Sequence, residues 1–140
     1  MFPKLFLMLL MLAAAGCIQI ELETPTEAQD AHARANVIVL VARESAYRER
    51  FGRYAATFGE LQPPVDTQLP FGGYEGCSRG YCYALKGTES GYELRAWPQE
   101  WRRSGHRSFY ADETGIVRYT AQTRLADRGD VADGSAELPH

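Results

Sequence analysis

The stretch Arg107-Ser-Phe-Tyr-Ala-Asp-Glu-Thr-Gly-Ile-Val-Arg-Tyr-Thr120 decides the fold. Phe109, Tyr110, Ile116, Val117 and Tyr119 are strand formers, because branched and aromatic side chains pack well on a pleated, half-buried surface. Between them, Asp112-Glu-Thr-Gly115 puts Asp first and Gly fourth, as a type I turn prefers, with Gly115 free to take positive φ. The pattern predicts two short antiparallel strands joined by a three-residue loop with a glycine bulge. It holds no recognisable arrangement of catalytic groups.

Two more alternating runs lie upstream. Tyr81, Tyr83 and Leu85 face one way, and Cys82, Ala84 and Lys86 the other. After the turn material Gly87-Thr-Glu-Ser-Gly91, Tyr92, Leu94 and Ala96 alternate with Glu93, Arg95 and Trp97 until Pro98 ends the run. Gln99 to Gly105 reads as a loop. Four strands in up-down order predict an antiparallel meander with one face under a helix.

That helix is announced by Thr24-Pro-Thr-Glu27. Thr24 suits an N-cap, Pro25 the first helical position, and Glu27 the third position of a capping box. It should run to about Arg50, with Gly52 as its stop. Its middle, Val37-Ile-Val-Leu-Val-Ala42, is apolar nearly all round. Its last third places Leu40, Tyr47, Phe51 and Tyr54 on one side. Residues 55–80, with Pro63-Pro64, Phe71-Gly-Gly73 and Gly76, read as a long connection. Residues 121–140 read as a polar tail that frays or lies along the surface. The expected fold is α+β, one long N-terminal helix packed on a four-stranded antiparallel meander.

The N-terminus stands apart. Lys4 precedes Leu5-Phe-Leu-Met-Leu-Leu-Met-Leu-Ala-Ala-Ala15. At about 1.5 Å per residue this run spans roughly half a bilayer core. It fits the apolar region of a signal peptide better than a membrane span. Ala14-Ala-Gly-Cys17 resembles the lipobox of bacterial lipoproteins, although leucine is commoner than Ala14 at its first position. The resemblance implies removal of residues 1–16, a diacylglyceryl group on the Cys17 thiol, and acylation of the new amino group. More than one chain gives stable anchoring, where one is marginal. The division that follows is a signal peptide at 1–16, a tether at 17–23, the folded domain at 24–120 and the tail at 121–140.

Three cysteines are an odd number. With Cys17 lipidated, Cys77 and Cys82 in Gly-Cys-Ser-Arg-Gly-Tyr-Cys remain as a pair. An exported chain meets an oxidising compartment, so a structural disulfide is expected, stabilising by about 2 kcal/mol. The spacing is not C-x-x-C, and no second Cys or His pair suggests zinc. Loss of Lys4 with the signal peptide takes the net charge from −3 to −4. No basic stripe suggests nucleic acid.

The plan of one helix, a loop and a small antiparallel sheet resembles type IV pilins and the pseudopilins of type II secretion. Tyr47 to Leu61, Gly91 to Pro98 and Arg107 to Thr120 carry the resemblance, which spans roughly residues 28–120. The chain departs from that family at its start. Glu21 stands fifth after Gly16, as in prepilins, yet Leu22 to Asp30 are mostly polar, so the family's apolar stem is missing. The resemblance therefore implies a pilin-like head carried on a lipid anchor.

No nucleophile motif frames a serine, cysteine or histidine. His32, His106 and His140 are scattered, and Glu44, Glu49 and Glu93 are isolated carboxylates. Asp127, Asp130 and Asp133 form a loose acidic cluster whose spacing fits no EF-hand. No catalytic residue, metal or cofactor is expected. Trp97 and Trp101, followed by Arg102 and Arg103, make a candidate partner-binding patch, since interfaces favour Trp and Arg. The sequence points to a non-enzymatic lipoprotein of the bacterial envelope, anchored to a membrane (the outer one, on its periplasmic or surface face). It would make protein–protein contacts accessory to secretion or pilus machinery. The alternative is a periplasmic small-ligand or inhibitor module using the aromatic sheet face.

Overall fold

The computed structural model describes residues 25–61 and 71–134. Cys17, the signal segment, the tether, the Thr24 cap, Pro63-Pro64 and residues 135–140 lie outside the described residues. Helix α1 spans Pro25–Phe51. Proline stands at its first position, where a missing N–H costs nothing. At its end the Gly52 N–H donates to the Arg48 carbonyl at 2.8 Å. Ala33, Val37, Leu40 and Val41 are buried at spacings of three and four, as one face of a helix requires. Tyr47 and Tyr54 pack partly against the core, but Phe51, expected on the same face, is 54% exposed. The helix ends at Phe51.

The strands are β1 Glu75–Ser78, β2 Tyr81–Gly87, β3 Tyr92–Pro98, β4 Ser108–Asp112, β5 Arg118–Thr120 and β6 Val131–Ala132. They form one sheet in sequence order, each antiparallel to the next. The α+β expectation holds, but the sheet has six strands rather than four. β1 lies in the expected connection and β6 in the expected tail. Glu-Gly-Cys-Ser has no strand former. Pairing with β2 makes it a strand, and Cys77 sits opposite Cys82, to which it is disulfide-bonded, with Cα atoms 3.9 Å apart.

The inner face forms columns. Leu85 lies opposite Leu94, which lies opposite Ala111; Tyr83 lies opposite Ala96, which lies opposite Phe109. All six are buried, as are Tyr81 and Tyr92. The Tyr81 and Tyr83 hydroxyls are bonded to the helix, as polar groups out of water must be. Asn36 Nδ2 donates to Tyr83 Oη at 3.0 Å, and Tyr81 Oη meets the Asp30 carboxylate and lies 2.7 Å from the Arg107 carbonyl. Tyr54 meets Tyr92 edge-on at 5.1 Å. The helix therefore runs in the same direction as β2, with its backbone nearest β4 and β3. Its N-terminal end meets the start of β2, and the chain just beyond its C-terminus meets the β2–β3 turn.

The turn at Asp112 is built as expected. The Gly115 N–H donates to the Asp112 carbonyl at 2.9 Å, with φ +75° at Gly115. Ile116 and Val117 precede β5 rather than opening it, and the Asp133 N–H donates to the Val117 carbonyl at 2.7 Å, in register with the β5–β6 pairing. This bond belongs to the largest departure from the sequence expectation, which is that residues 121–134 are fastened down. Ser108 Oγ donates to the Arg124 carbonyl at 2.7 Å, and Arg118 Nη1 to the Asp130 carbonyl at 2.9 Å. Arg128 Nε donates to Asp112 Oδ2 at 2.9 Å, and Asp133 pairs with Arg34 of the helix. Charge-assisted bonds hold a segment that has few large apolar groups. It covers the outer face of β4, so all five residues of that strand are buried.

Asp112 is the hub of this attachment. Burial alone would raise its pKa. The Thr114 hydroxyl and amide, the Tyr110 hydroxyl and the Arg128 guanidinium outweigh burial and hold it below the ordinary carboxylate range. Asp112→Ala removes all of these bonds and should destabilise the fold by about 3 kcal/mol. Arg128→Ala, which removes a solvent-exposed partner, should cost clearly less. Urea denaturation of the two variants checks the order, and equal losses would show that Arg128 is the whole of the effect.

Candidate functional site

The sequence's candidate residues fall on several elements. Cys17 lies outside the described residues. Cys77 and Cys82 form the edge disulfide. Trp97 stands opposite Cys82 on β3 and points to the outer face. Trp101 belongs to the next loop, where it bridges to Gly105, and Arg102 and Arg103 are exposed there. The tyrosines and Phe109 of the inner sheet face are covered by the helix, and Tyr110 on the outer face lies beneath Arg95, 5.1 Å from its ring centre.

The loop holding Trp101 lies against the start of the helix. Asp30 accepts from the His106 N–H at 2.9 Å and the Arg107 N–H at 3.4 Å. A Cβ on Gly105 would come within 2.3 Å of the Tyr81 hydroxyl, so only glycine permits this approach. The Gln99 N–H donates to the Gly80 carbonyl at 2.8 Å, which joins the β1–β2 turn to the same cluster. This end of the molecule, where the helix begins, carries Arg79, Trp101, Arg102 and Arg103; we call it the tip.

The opposite end, the foot, is where the helix stops. Arg43, Tyr47, Arg50, Phe51, Glu60 and Leu61 line a shallow cleft of about 420 Å³. Its aromatic rings are interleaved with guanidinium groups. Tyr47 and Phe51 lie 4.5 Å apart, Arg50 lies 5.2 Å from the Phe51 ring centre, and Arg53 lies 5.3 Å from that of Tyr47. Arg48 sits 5.0 Å from the ring centre of Tyr54. Glu60 receives Tyr47 Oη at 2.9 Å and Arg53 Nη1 at 2.8 Å. These two bonds lower its pKa, the Arg53 bond most. The sequence scan missed this cluster. The signal was four arginines and three aromatics between residues 43 and 54.

Behind the foot lies Glu44, fully buried at 0% exposure. Its Oε2 accepts the Ala55 N–H at 2.9 Å, while Oε1 has no partner among the described residues. Burial raises its pKa to about 7; the Ala55 N–H opposes this, nearby Glu60 adds to it, and Arg53 opposes it weakly. A helical count places it seven residues after Val37 and four after Leu40, on the core stripe, which was the sequence signal for its burial.

The acidic residues of the tail are paired with arginines. Arg124 holds Asp130 through both Nη atoms, at 2.9 and 2.6 Å, and Asp133 turns away to Arg34. Among the described residues, no three His, Cys, Asp or Glu side chains are grouped to hold a metal ion. Comparison with protein-family models, curated proteins and solved structures finds no match.

Glu44 gives a pH dependence with a definite sign. Its pKa is higher folded than unfolded, so its contribution is favourable below about pH 4.5 and is lost as pH rises through about 7. Glu44→Gln keeps an acceptor for Ala55 and does not ionise. It should match the wild type near pH 4.5 and exceed it by about 3 kcal/mol above pH 8. Denaturation at the two pH values tests this, and a difference that does not change with pH would refute it.

Proposed function

We propose that the chain is a lipid-anchored, non-enzymatic protein of the bacterial envelope. Its pilin-like head makes protein–protein contacts accessory to type II secretion or type IV pilus machinery. The observation that supports the contact role is the foot. Phe51 stands 54% exposed in a cleft that it shares with Arg43, Tyr47, Arg50, Glu60 and Leu61. Tyr, Phe and Arg are the residues enriched at protein interfaces, and rings already stacked with guanidinium groups lose little freedom on binding. The position of the foot suits the role. Twenty-seven helical residues at about 1.5 Å each place it roughly 40 Å from where the chain enters the domain. A head tethered through Cys17 would carry this surface away from the bilayer.

The reading has two parts with separate tests. Metabolic labelling with a palmitate analogue should mark the wild-type chain and leave Cys17→Ala unmarked; equal labelling removes the anchor. A photocrosslinking residue placed at position 51 in intact cells should capture a pseudopilin, pilin or secretin component. Arg50→Glu should reduce that capture at least about fivefold, since like charge at an interface is costly. Capture unaffected by Arg50→Glu removes the foot as the contact surface.

A further inference from the structure

The tip has a chemistry unlike the foot. Arg79 and Arg102 both sit at the crests of turns with left-handed backbones, at φ 51° and 66°. Both are exposed, as is Arg103. Among the described residues, neither the Arg79 nor the Arg102 side chain forms an ion pair or a hydrogen bond. Arg103 meets only Glu100, at 3.3 Å, with both side chains largely in water. Left-handed backbone is unfavourable for a residue with a side chain, so two such arginines on adjoining turns call for an explanation beyond the turns. The two turns are fixed to each other by the Gln99–Gly80 bond and to the helix start through Asp30. Trp101, partly exposed, precedes Arg102 in the second of these turns.

We propose that Arg79, Trp101, Arg102 and Arg103 dock on an anionic lipid surface. This rests on the lipid-anchored reading above. The occupant follows from where the chain comes from. Pro25 opens the helix at the tip, and Cys17 is eight positions earlier. Even fully extended, that segment reaches about 28 Å. An anchored head therefore has its tip, and not its foot, confined next to the bilayer. Arg79, Arg102, Arg103 and Arg107 outnumber Glu27, Asp30 and Glu100 at this end, so the tip is positive on a chain whose net charge is −4 once Lys4 is lost with residues 1–16. Unpaired guanidinium groups need no fixed partner geometry to meet lipid phosphates. Tryptophan favours the headgroup level, where its ring is half in hydrocarbon and its N–H in water. Each arginine near such a surface favours association about fivefold, and salt screens the effect. Docking would hold the helix off the membrane plane and fix the direction of the foot.

The test uses the full chain, purified from membranes and reconstituted in a Trp97→Phe background, so that Trp101 is the only tryptophan. One set of vesicles is phosphatidylcholine; the other contains about a third phosphatidylglycerol. Both carry lipids brominated near the headgroup, which quench tryptophan on contact. The comparison protein adds Arg79→Asn, Arg102→Asn and Arg103→Gln; asparagine tolerates the left-handed backbone. Its urea denaturation is measured to show that it folds. Flotation with vesicles reports the anchor, and quenching reports the tip. The expected result is that both proteins float on both vesicles. Only the arginine protein should be quenched, only on anionic vesicles, and less in high salt. Flotation of both with equal quenching, or none, overturns the docking and leaves the anchor standing. Failure to float on phosphatidylcholine removes the anchor, and the docking with it. Capture of an acidic protein by a crosslinker at position 102, with no quenching on anionic vesicles, assigns the tip to that protein and overturns the proposal.

Discussion

The contact on which the rest depends is the seating of the helix on the tyrosine-lined face of the sheet. Apolar burial drives it but is non-directional; Ala33, Val37, Leu40 and Val41 would be covered equally well in several registers. The buried hydroxyls remove that freedom. Tyr81 must find Asp30 and Tyr83 must find Asn36, or each loses a hydrogen bond in a place water cannot reach. Asp30 then ties in a third element through the His106 and Arg107 amides. One carboxylate thereby fixes the helix, β2 and the loop before β4 together. The position of the tip and the foot follows from that registration.

What was legible in the sequence was local. The stop of the helix at Gly52, the alternation of β2 and β3, and the Asp112–Gly115 turn are each written within a few residues, and the structure follows them closely. What was not legible depends on partners far along the chain. β1 lacks any strand former and exists because β2 offers an edge and Cys82 a bond. β6 is two exposed residues held beside β5 by polar contacts on both sides. Asp112 was legible as a turn residue, but its bond to Arg128, sixteen positions away, was not. The Trp97–Arg103 grouping spans two kinds of structure. Pro98 ends the strand between the two tryptophans, so neighbours in sequence are placed on a sheet face and on a loop. Arg79, which the fold brings to the same end as Arg102, is distant in sequence.

Two buried carboxylates show how far surroundings decide behaviour. Asp112 is 1% exposed and Glu44 0% exposed, so burial opposes ionisation in both. Asp112 has donors on both oxygens and a guanidinium beside it, and ionises more readily than a free carboxylate. Glu44 has one backbone donor and an idle oxygen, and gives up its proton only near neutrality. A turn that recruits a tail can hold a charge in the core. An acid buried on the core stripe of a helix, with one backbone donor and Glu60 nearby, favours its neutral form.

The arginines of the two ends differ in the same physical sense. At the foot, Arg48, Arg50 and Arg53 each lie over a ring, and Arg53 also holds Glu60. Their positions are set before any partner arrives, and a partner that fits gains from geometry already in place. At the tip, Arg79 and Arg102 are held only by their backbone turns, with their side chains in water. Such groups offer charge without shape. A folded protein rewards shape, while a fluid anionic surface rewards charge and adapts to whatever shape it meets. The assignment of the foot to protein and the tip to lipid thus rests on how firmly each set of cations is held, and the single helix that separates them keeps the two contacts from competing.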